Sequence, residues 1–448
     1  MAATHRDIHR RRAANRLLLR PWRSGAAVSD RVVSSPTATS TGKPAVEPPP
    51  LRRDRTVLGW ALGEAVSSIG DQIWLVALAY AAVQLGSPAL AGVVLASIAL
   101  PRAGLMLLGG VVTDRFEARE LMLWSNVLRV LILLGALVAY ESWGVSAALL
   151  ITVGVLFGVA DAFYRPASQA LPRQLVRKEE LSRLAGIRQL LIRIAMLVGA
   201  PVGGLVMTLF GLRGAIIADG VSFAVIAVVL VQVRPRWARE RAHGGSLWAD
   251  MRAGFGYLAR TPHVRSLVIA LSGLNVFVSP VVVVGVALRA DQEGWNAAGL
   301  GLLTGAIGAG AGLGTLLAIV WPQRRPVLAA LFLLAAQAVA LALAGAGGYA
   351  MTLVLMVVVG LTAGLASPML AGAFQSTVGE SYLGRTSAVV SITDSALAPL
   401  TLTAFGLLAA QLGVSVTIAA YGLAFLLLIL FLGTQREARD VRLTGARE

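Results

Sequence analysis

From Val57 to about residue 433 the chain is a succession of long apolar runs, each about 20 residues or more, separated by short polar connections. A run of that length, wound as a helix, spans the hydrocarbon of a bilayer. Lipid offers backbone N–H and C=O groups no partner, and these runs lack the two-residue alternation of barrel strands, so the pattern predicts helices. Twelve are placed, at 57–84, 89–112, 121–143, 146–166, 185–208 and 213–233, then at 264–288, 298–320, 326–346, 350–373, 385–409 and 414–433. The chain thus divides into a tail (1–55), a six-helix bundle (56–233), a connecting loop (234–263), a second six-helix bundle (264–433) and a short tail (434–448). The fold class is an all-α polytopic membrane protein.

Composition agrees: 56% of residues are hydrophobic, 14% are charged and the mean hydropathy is +0.74. The absence of cysteine excludes a disulfide framework, a thiolate nucleophile and a thiolate metal site. His5, His9, His243 and His263 all lie in polar segments, so no metal site or histidine relay is expected inside the spans. With neither a nucleophile–base arrangement nor a glycine-rich phosphate loop, the chain does not read as an enzyme, and no cofactor is implied.

Charge is distributed unevenly. The first 55 residues carry 12 Lys/Arg against Asp7, Asp30, Glu47 and Asp54, which is half of the net +16. Residues 25–50, rich in Ser, Thr, Ala and Pro, are expected to be disordered, and Ile8–Trp22 to form a basic helix on anionic lipid. No apolar core follows the basic run, so it is not a secretory signal. Basic residues crowd the tails, the 2–3 and 4–5 connections, the middle loop, Arg324, Arg325 and Arg385, while the opposite loops hold only Arg213 and Arg289. Both termini are therefore expected in the cytoplasm. This placement also disfavours nucleic acid as a partner. Within the middle loop, 246–260 is expected to form an amphipathic helix at the inner surface, with Leu247, Met251, Phe255 and Leu258 on its apolar side.

The halves share a register. Gly158, Pro166, Leu181 and Arg183 recur 202 residues later as Gly360, Pro368, Leu383 and Arg385, the spacing of a duplicated unit.

Ionisable residues inside the spans are costly unless they face a partner or a wet cavity, and so they are the pointers to mechanism. Glu64, Ser67, Ser68 and Asp71 follow i, i+3, i+4, i+7 on helix 1 and form one polar face, which is expected to line a cavity. Arg102, Arg129 and Asp394 lie about 10–15 Å from their helix ends at 1.5 Å per residue. Asp161 and Arg165 make an i, i+4 pair, and Asp219 reads as structural. A proton-coupled carrier needs a carboxylate that loads and releases a proton in its working range. The candidates are Asp71, Glu64 and Asp394, in that order; the alternative is that Asp71 is fixed in an ion pair with Arg129 or Arg102. Gln72, Trp74 and Asn275 are candidate substrate contacts beside Ser67, Ser68, Arg102 and Arg129.

Gly110–Arg119 packs Asp114, Arg115, Glu117 and Arg119 into one polar turn that can only lie at a membrane surface. Its Gly-x-x-x-Asp-Arg core resembles the signature loop between helices 2 and 3 of the major facilitator superfamily, with Glu117 where that family usually has Gly. The stretch Asp161–Arg183 and the segment Gly254-Phe-Gly-Tyr-Leu-Ala-Arg-Thr-Pro are similar to the macrolide-efflux and enterobactin-exporter branch of that family. Gly199, Pro201, Gly203 and Gly204 resemble its antiporter motif, with Ala200 inserted.

The resemblance implies a two-halved carrier in the plasma membrane, acting as a monomer without cofactor. It would export hydrophobic or amphiphilic molecules by alternating access, in exchange for protons drawn from the proton gradient. Asp114 is expected to face the N-terminus of helix 11 near Arg385, so that Gly110, Asp114, Arg115, Arg119 and Arg385 form a gate. Two alternatives remain: a symporter or facilitator importing a polar metabolite, and a transport-dead receptor or scaffold.

Overall fold

The structure, a computed structural model, describes residues 49–237, 247–320, 323 and 325–435. The expected disorder at 25–50 and the basic helix at 8–22 lie outside the described residues, as does nearly all of the C-terminal tail. Eleven helical runs among the described residues are long and apolar enough to cross a membrane. One of them, Leu181–Gln232, is broken at Gly211 (φ 63°) into two helices, so twelve crossings result. A left-handed φ is the conformation glycine adopts without strain, and it reverses the chain here within one residue.

The crossings are α1 (Arg55–Val83), α2 (Pro88–Arg115), α3 (Ala118–Trp143), α4 (Ala147–Ala170), then α5 and α6 before and after Gly211. The second half holds α7 (Pro262–Gln292), α8 (Ala297–Val320), α9 (Pro326–Leu343), α10 (Tyr349–Thr377), α11 (Glu380–Leu412) and α12 (Val414–Thr434). Side-chain caps set several of the starts. Asp54 accepts the Val57 N–H at α1, and Ser87 and Ser146 accept those of Leu90 and Leu149 at α2 and α4. Large apolar side chains such as Leu131, Val138, Phe332 and Leu427 stay exposed on the outside of the protein, as a lipid-facing surface requires.

Three local expectations change. The polar turn at Gly110–Arg119 is largely helical: α2 runs on to Arg115, leaving only Phe116 and Glu117 between it and α3. A helix satisfies its own backbone and need not stop where hydrophobicity stops; Thr113 even returns its hydroxyl to Gly109 O. Leu51 and Asp54, assigned to the tail by sequence, are buried, and Asp54 pairs with Arg236 beyond α6. The expected surface helix spans Leu247–Arg260, but Phe255 is half exposed. The helix docks on α11 through Gly254, whose absent Cβ would lie 2.9 Å from Arg385 O, and through a Tyr257–Tyr382 stack at 4.6 Å.

The 202-residue repeat is visible in the packing. A Cβ on Gly158 of α4 would meet Ile98 O of α2, and one on Gly360 of α10 would meet Ile307 O of α8. Pro166 and Pro368 sit inside the same two equivalent helices.

The halves meet at the end where α1 turns into α2, the far end from Arg55. There Gly92 of α2 lies against Leu402 O and Gly406 of α11, and Gly204 of α5 against Ala297 O and Gly301 of α8. Pro201 packs on Gly305 beside them. Gln84 Nε2 donates to Asp291 Oδ1 at 2.7 Å, and Ala298 N–H donates to Thr208 Oγ1 at 3.0 Å. Small residues let two backbones touch where no hydrophobic effect draws helices together.

A side chain at Gly204 has nowhere to go, because its Cβ would fall 2.4 Å from a backbone oxygen. Gly204→Leu is therefore expected to disfavour the closed far end by about 1–3 kcal/mol, a shift of about 5- to 150-fold. Spin labels on Gln84→Cys and Asp291→Cys, introduced into this cysteine-free chain, are expected to move apart in that variant. An unchanged distance distribution would contradict the seam.

Candidate functional site

Each half encloses its own cavity. The one in the first half, about 590 Å³, is bordered by α1 through α5. Glu64, Ser67, Ser68 and Asp71 all line it, so the polar stripe of α1 faces where its spacing placed it. Asp71 stands 16 residues, about 24 Å, along α1 from Arg55. Four guanidinium groups, Arg102, Arg129, Arg165 and Arg188, share the cavity with three carboxylates, Glu64, Asp71 and Asp161.

Two of those carboxylates are fully engaged. Glu64 takes a bidentate contact from Arg188, Nε to Oε2 at 2.7 Å and an η-nitrogen to Oε1 at 2.6 Å. Ser168 Oγ adds a 2.7 Å bond to Oε1, and the Arg188 guanidinium lies 5.1 Å over the Trp60 ring. Planar two-point contacts of this kind are the strong form of the carboxylate–guanidinium pair. Asp161 pairs with Arg129 and has Arg165 at 3.7 Å and Arg102 at 3.8 Å. Arg129 is 2% exposed, sits between the Tyr164 and Phe223 rings at 4.3 and 4.9 Å, and reaches Asn126 at 3.5 Å.

Asp71 differs from both. Its side chain is open to the cavity and makes no hydrogen bond or ion pair with any described residue. The alternative that it is fixed to Arg129 or Arg102 is thus corrected: both cations turn to Asp161, which lies on α4 between them. Arg129 borders the cavity, as expected of it, and is at the same time the buried partner of that pair.

Ser67 is buried at the cavity wall, and Ser68 donates to Glu64 O. Gln72 is wedged against Gly199, whose Cβ would meet Gln72 Cβ at 2.8 Å, and Gly203 lies equally close to Ile73. Trp74 is buried and stacked on Phe157 at 5.7 Å. The motif Gly199, Pro201, Gly203, Gly204 thus packs one side on α1 and the other on α8.

Of the expected gate, Gly110 is in mid-helix and the side chains of Asp114 and Arg115 lie outside the described residues. Arg119 donates to Leu230 O and Val231 O near the end of α6, at 2.8 and 3.1 Å, which ties it within its own half. The Arg385 guanidinium lies 5.8 Å over Tyr382 on α11. Asn275 and Asp394 come together elsewhere, in the second half's cavity of about 430 Å³, where Asn275 Nδ2 donates to Asp394 Oδ2 at 2.9 Å. Sequence reasoning missed Arg188 and Ser168. An arginine inside the apolar run of α5, with an unpartnered glutamate on α1, was the signal that could have joined them.

Two structurally equivalent helical bundles, closed against each other at one end and each hollowed toward the other, define a membrane carrier rather than an enzyme. The chain belongs to the Major Facilitator Superfamily, whose family profile matches residues 60–402. It is 26% identical over 232 residues to the uncharacterized MFS-type transporter YkuC of Bacillus subtilis, covering 46% of this chain and 53% of that protein. It is 23% identical over 315 residues to macrolide efflux protein A of Streptococcus pyogenes, covering 68% and 77%. Enterobactin exporter EntS of Escherichia coli is 27% identical over 221 residues, covering 47% and 50%. The chain thus spans about half the length of the first and the last of these. Among solved structures, a bacterial homolog of the human lysosomal transporter Spinster, inward-facing and unoccupied, superposes with TM-score 0.67 at 13% identity, over 89% of this chain and all of that one.

Removing one partner of the Arg129–Asp161 pair leaves a buried charge uncompensated, which typically costs 3–5 kcal/mol. Asp161→Ala is expected to lower the temperature at which detergent-solubilised protein loses its monodisperse peak, and Arg129→Met with Asp161→Leu together to lower it less. Equal losses in the two variants would contradict a pair held by charge.

Proposed function

We propose that this chain is a proton-driven exporter of hydrophobic or amphiphilic small molecules, working as a monomer in a plasma membrane. The observation that carries the reading is Asp71. It is the one carboxylate of the first cavity without an ion pair or hydrogen bond to a described residue, so it is the group free to exchange a proton with the cavity. Glu64 is pinned by Arg188 and does not serve as well. A proton entering at Asp71 alters the charge of the cavity, and that change is what couples proton movement to substrate binding.

Orientation follows from the basic residues. Arg173, Arg177 and Lys178 between α4 and α5, and Arg234 and Arg236 after α6, all lie at the Arg55 end, which the positive-inside rule puts in the cytoplasm. The seam then closes the outer face and both cavities open inward, the state in which an exporter loads. In this reading Asp114 and Arg115, at the inner end of α2, and Arg385 of α11 form the latch of the opposite, outward-open state. The likeness to macrolide efflux protein A and to enterobactin exporter EntS supports the direction.

The test is dye efflux in energised inverted vesicles, wild type beside Asp71→Asn, with and without an uncoupler. Transport that the uncoupler stops, and that Asp71→Asn loses while the protein stays folded, is the expected outcome. Transport indifferent to the uncoupler would make the chain a facilitator, and dye accumulation in the reverse direction an importer.

A further inference from the structure

We propose that the cavity of the second half is a binding site for an organic cation with an apolar body, its ammonium or other cationic group held by Asp394. The inference names a substrate class for the exporter of the preceding section and rests on that reading for the transport of such a molecule, though not for its binding.

Three observations support it. First, the two cavities have opposite electrostatic character. The first half's cavity holds more guanidinium groups than carboxylates, whereas Asp394 is the only ionisable residue among the described residues lining the second, whose walls are Leu271, Val282, Ile307 and Val359 among other apolar side chains. Asn275 occupies Oδ2 of Asp394, and Oδ1 is buried with no partner. A carboxylate oxygen buried this way is costly unless something neutralises it.

Second, Gln337 of α9 borders the same cavity, is 0% exposed, and has both its amide oxygen and its amide nitrogen unpartnered. Buried polar groups are nearly always hydrogen-bonded, so a whole side-chain amide left unsatisfied beside a cavity marks where a ligand's polar group fits. One end of the amide can accept from an N–H or O–H while the other donates to a carbonyl or ether.

Third, α7 changes its winding where it forms the wall. Leu274–Val278 and Val281–Gly285 are π-helical, and Leu274, Asn275, Val278, Val282 and Val283, all lining residues, fall inside these two segments. Such π turns are rare and concentrate at functional sites, because they re-aim side chains that a regular helix would point elsewhere. Here they bring Asn275 to Asp394.

At about 430 Å³ the cavity is within the range of small-molecule sites, and its apolar walls suit a hydrocarbon or aromatic skeleton. A permanent cation tests the charge directly, since it cannot be confused with a proton. Purified full-length protein is titrated with ethidium, a cationic aromatic dye, and with N-phenyl-1-naphthylamine, a neutral one. Wild type is expected to bind both. Asp394→Asn is expected to weaken ethidium at least tenfold while holding the neutral dye within about twofold, which also shows that the variant is folded. Gln337→Leu is expected to weaken ethidium, whose amino groups the amide accepts.

Ethidium bound equally by wild type and Asp394→Asn would overturn the proposal, as would wild type that binds only the neutral dye. If Asp394→Asn loses both dyes, Asp394→Glu decides: restored ethidium binding supports the site, and failure to restore it sinks the proposal. The outcomes separate from those of the transport assay. Asp394-dependent ethidium binding without uncoupler-sensitive efflux removes the antiport reading and leaves this site standing. Uncoupler-sensitive efflux of neutral dyes with no ethidium binding does the reverse.

Discussion

An ionised side chain inside a bilayer costs several kilocalories per mole unless another group in the protein answers it. The first half of this molecule is arranged around that constraint. Asp161 on α4 gathers Arg129 from α3, Arg102 from α2 and its own neighbour Arg165, while Glu64 on α1 takes Arg188 from α5. Apart from the Asp161–Arg165 contact within α4, each pair joins two helices that lipid alone would not hold together, and the polar groups so tie α1 to α5 and α2 and α3 to α4. Of the carboxylates lining that cavity Asp71 alone is left unanswered, while Asp219 on α6, which does not line it, is buried with Ser222 donating to Oδ1.

The packing between halves uses close backbone approach without the ion pairs of the first half. Peptide backbone meets peptide backbone at Gly92 with Gly406 and at Gly204 with Gly301, as Gly158 and Gly360 also let it do inside each half. Glycine contacts of this kind can part and reform without re-sorting rotamers at those positions. That suits a contact that opens in one half of a transport cycle and closes in the other, and it explains why the motif Gly199–Gly204 faces α8 as well as α1.

Much of this was legible in the chain. Twelve hydrophobic runs gave twelve crossings because span length is dictated by the bilayer and not by tertiary detail. The i, i+3, i+4, i+7 stripe of α1 faces its cavity because helical periodicity is rigid. The repeat offset is real because Gly158 and Gly360 do the same job against α2 and α8. What could not be read was pairing. Arg129 has two carboxylates within plausible reach, Asp71 and Asp161, and only the three-dimensional placement of α4 decides between them. The polar turn after α2 was misjudged because hydrophobicity reports where lipid ends, whereas hydrogen bonding decides where a helix ends. Gln337 was invisible for a related reason: a lone amide in an apolar run signals nothing until its lack of partners is seen.

The glycine seam has an electrical consequence. A membrane potential does work only on charge that moves through it, about 2.3 kcal/mol per elementary charge per 100 mV. The backbone contacts of Gly92, Gly204, Gly301 and Gly406 carry no net charge, and the Asp291 carboxylate joined to Gln84 sits at the rim, at the end of α7. The contacts of the seam themselves therefore add nothing for the field to act on when they part. Whatever voltage dependence this carrier has is confined to the unbalanced charges of its two cavities, and so changes with what those cavities hold.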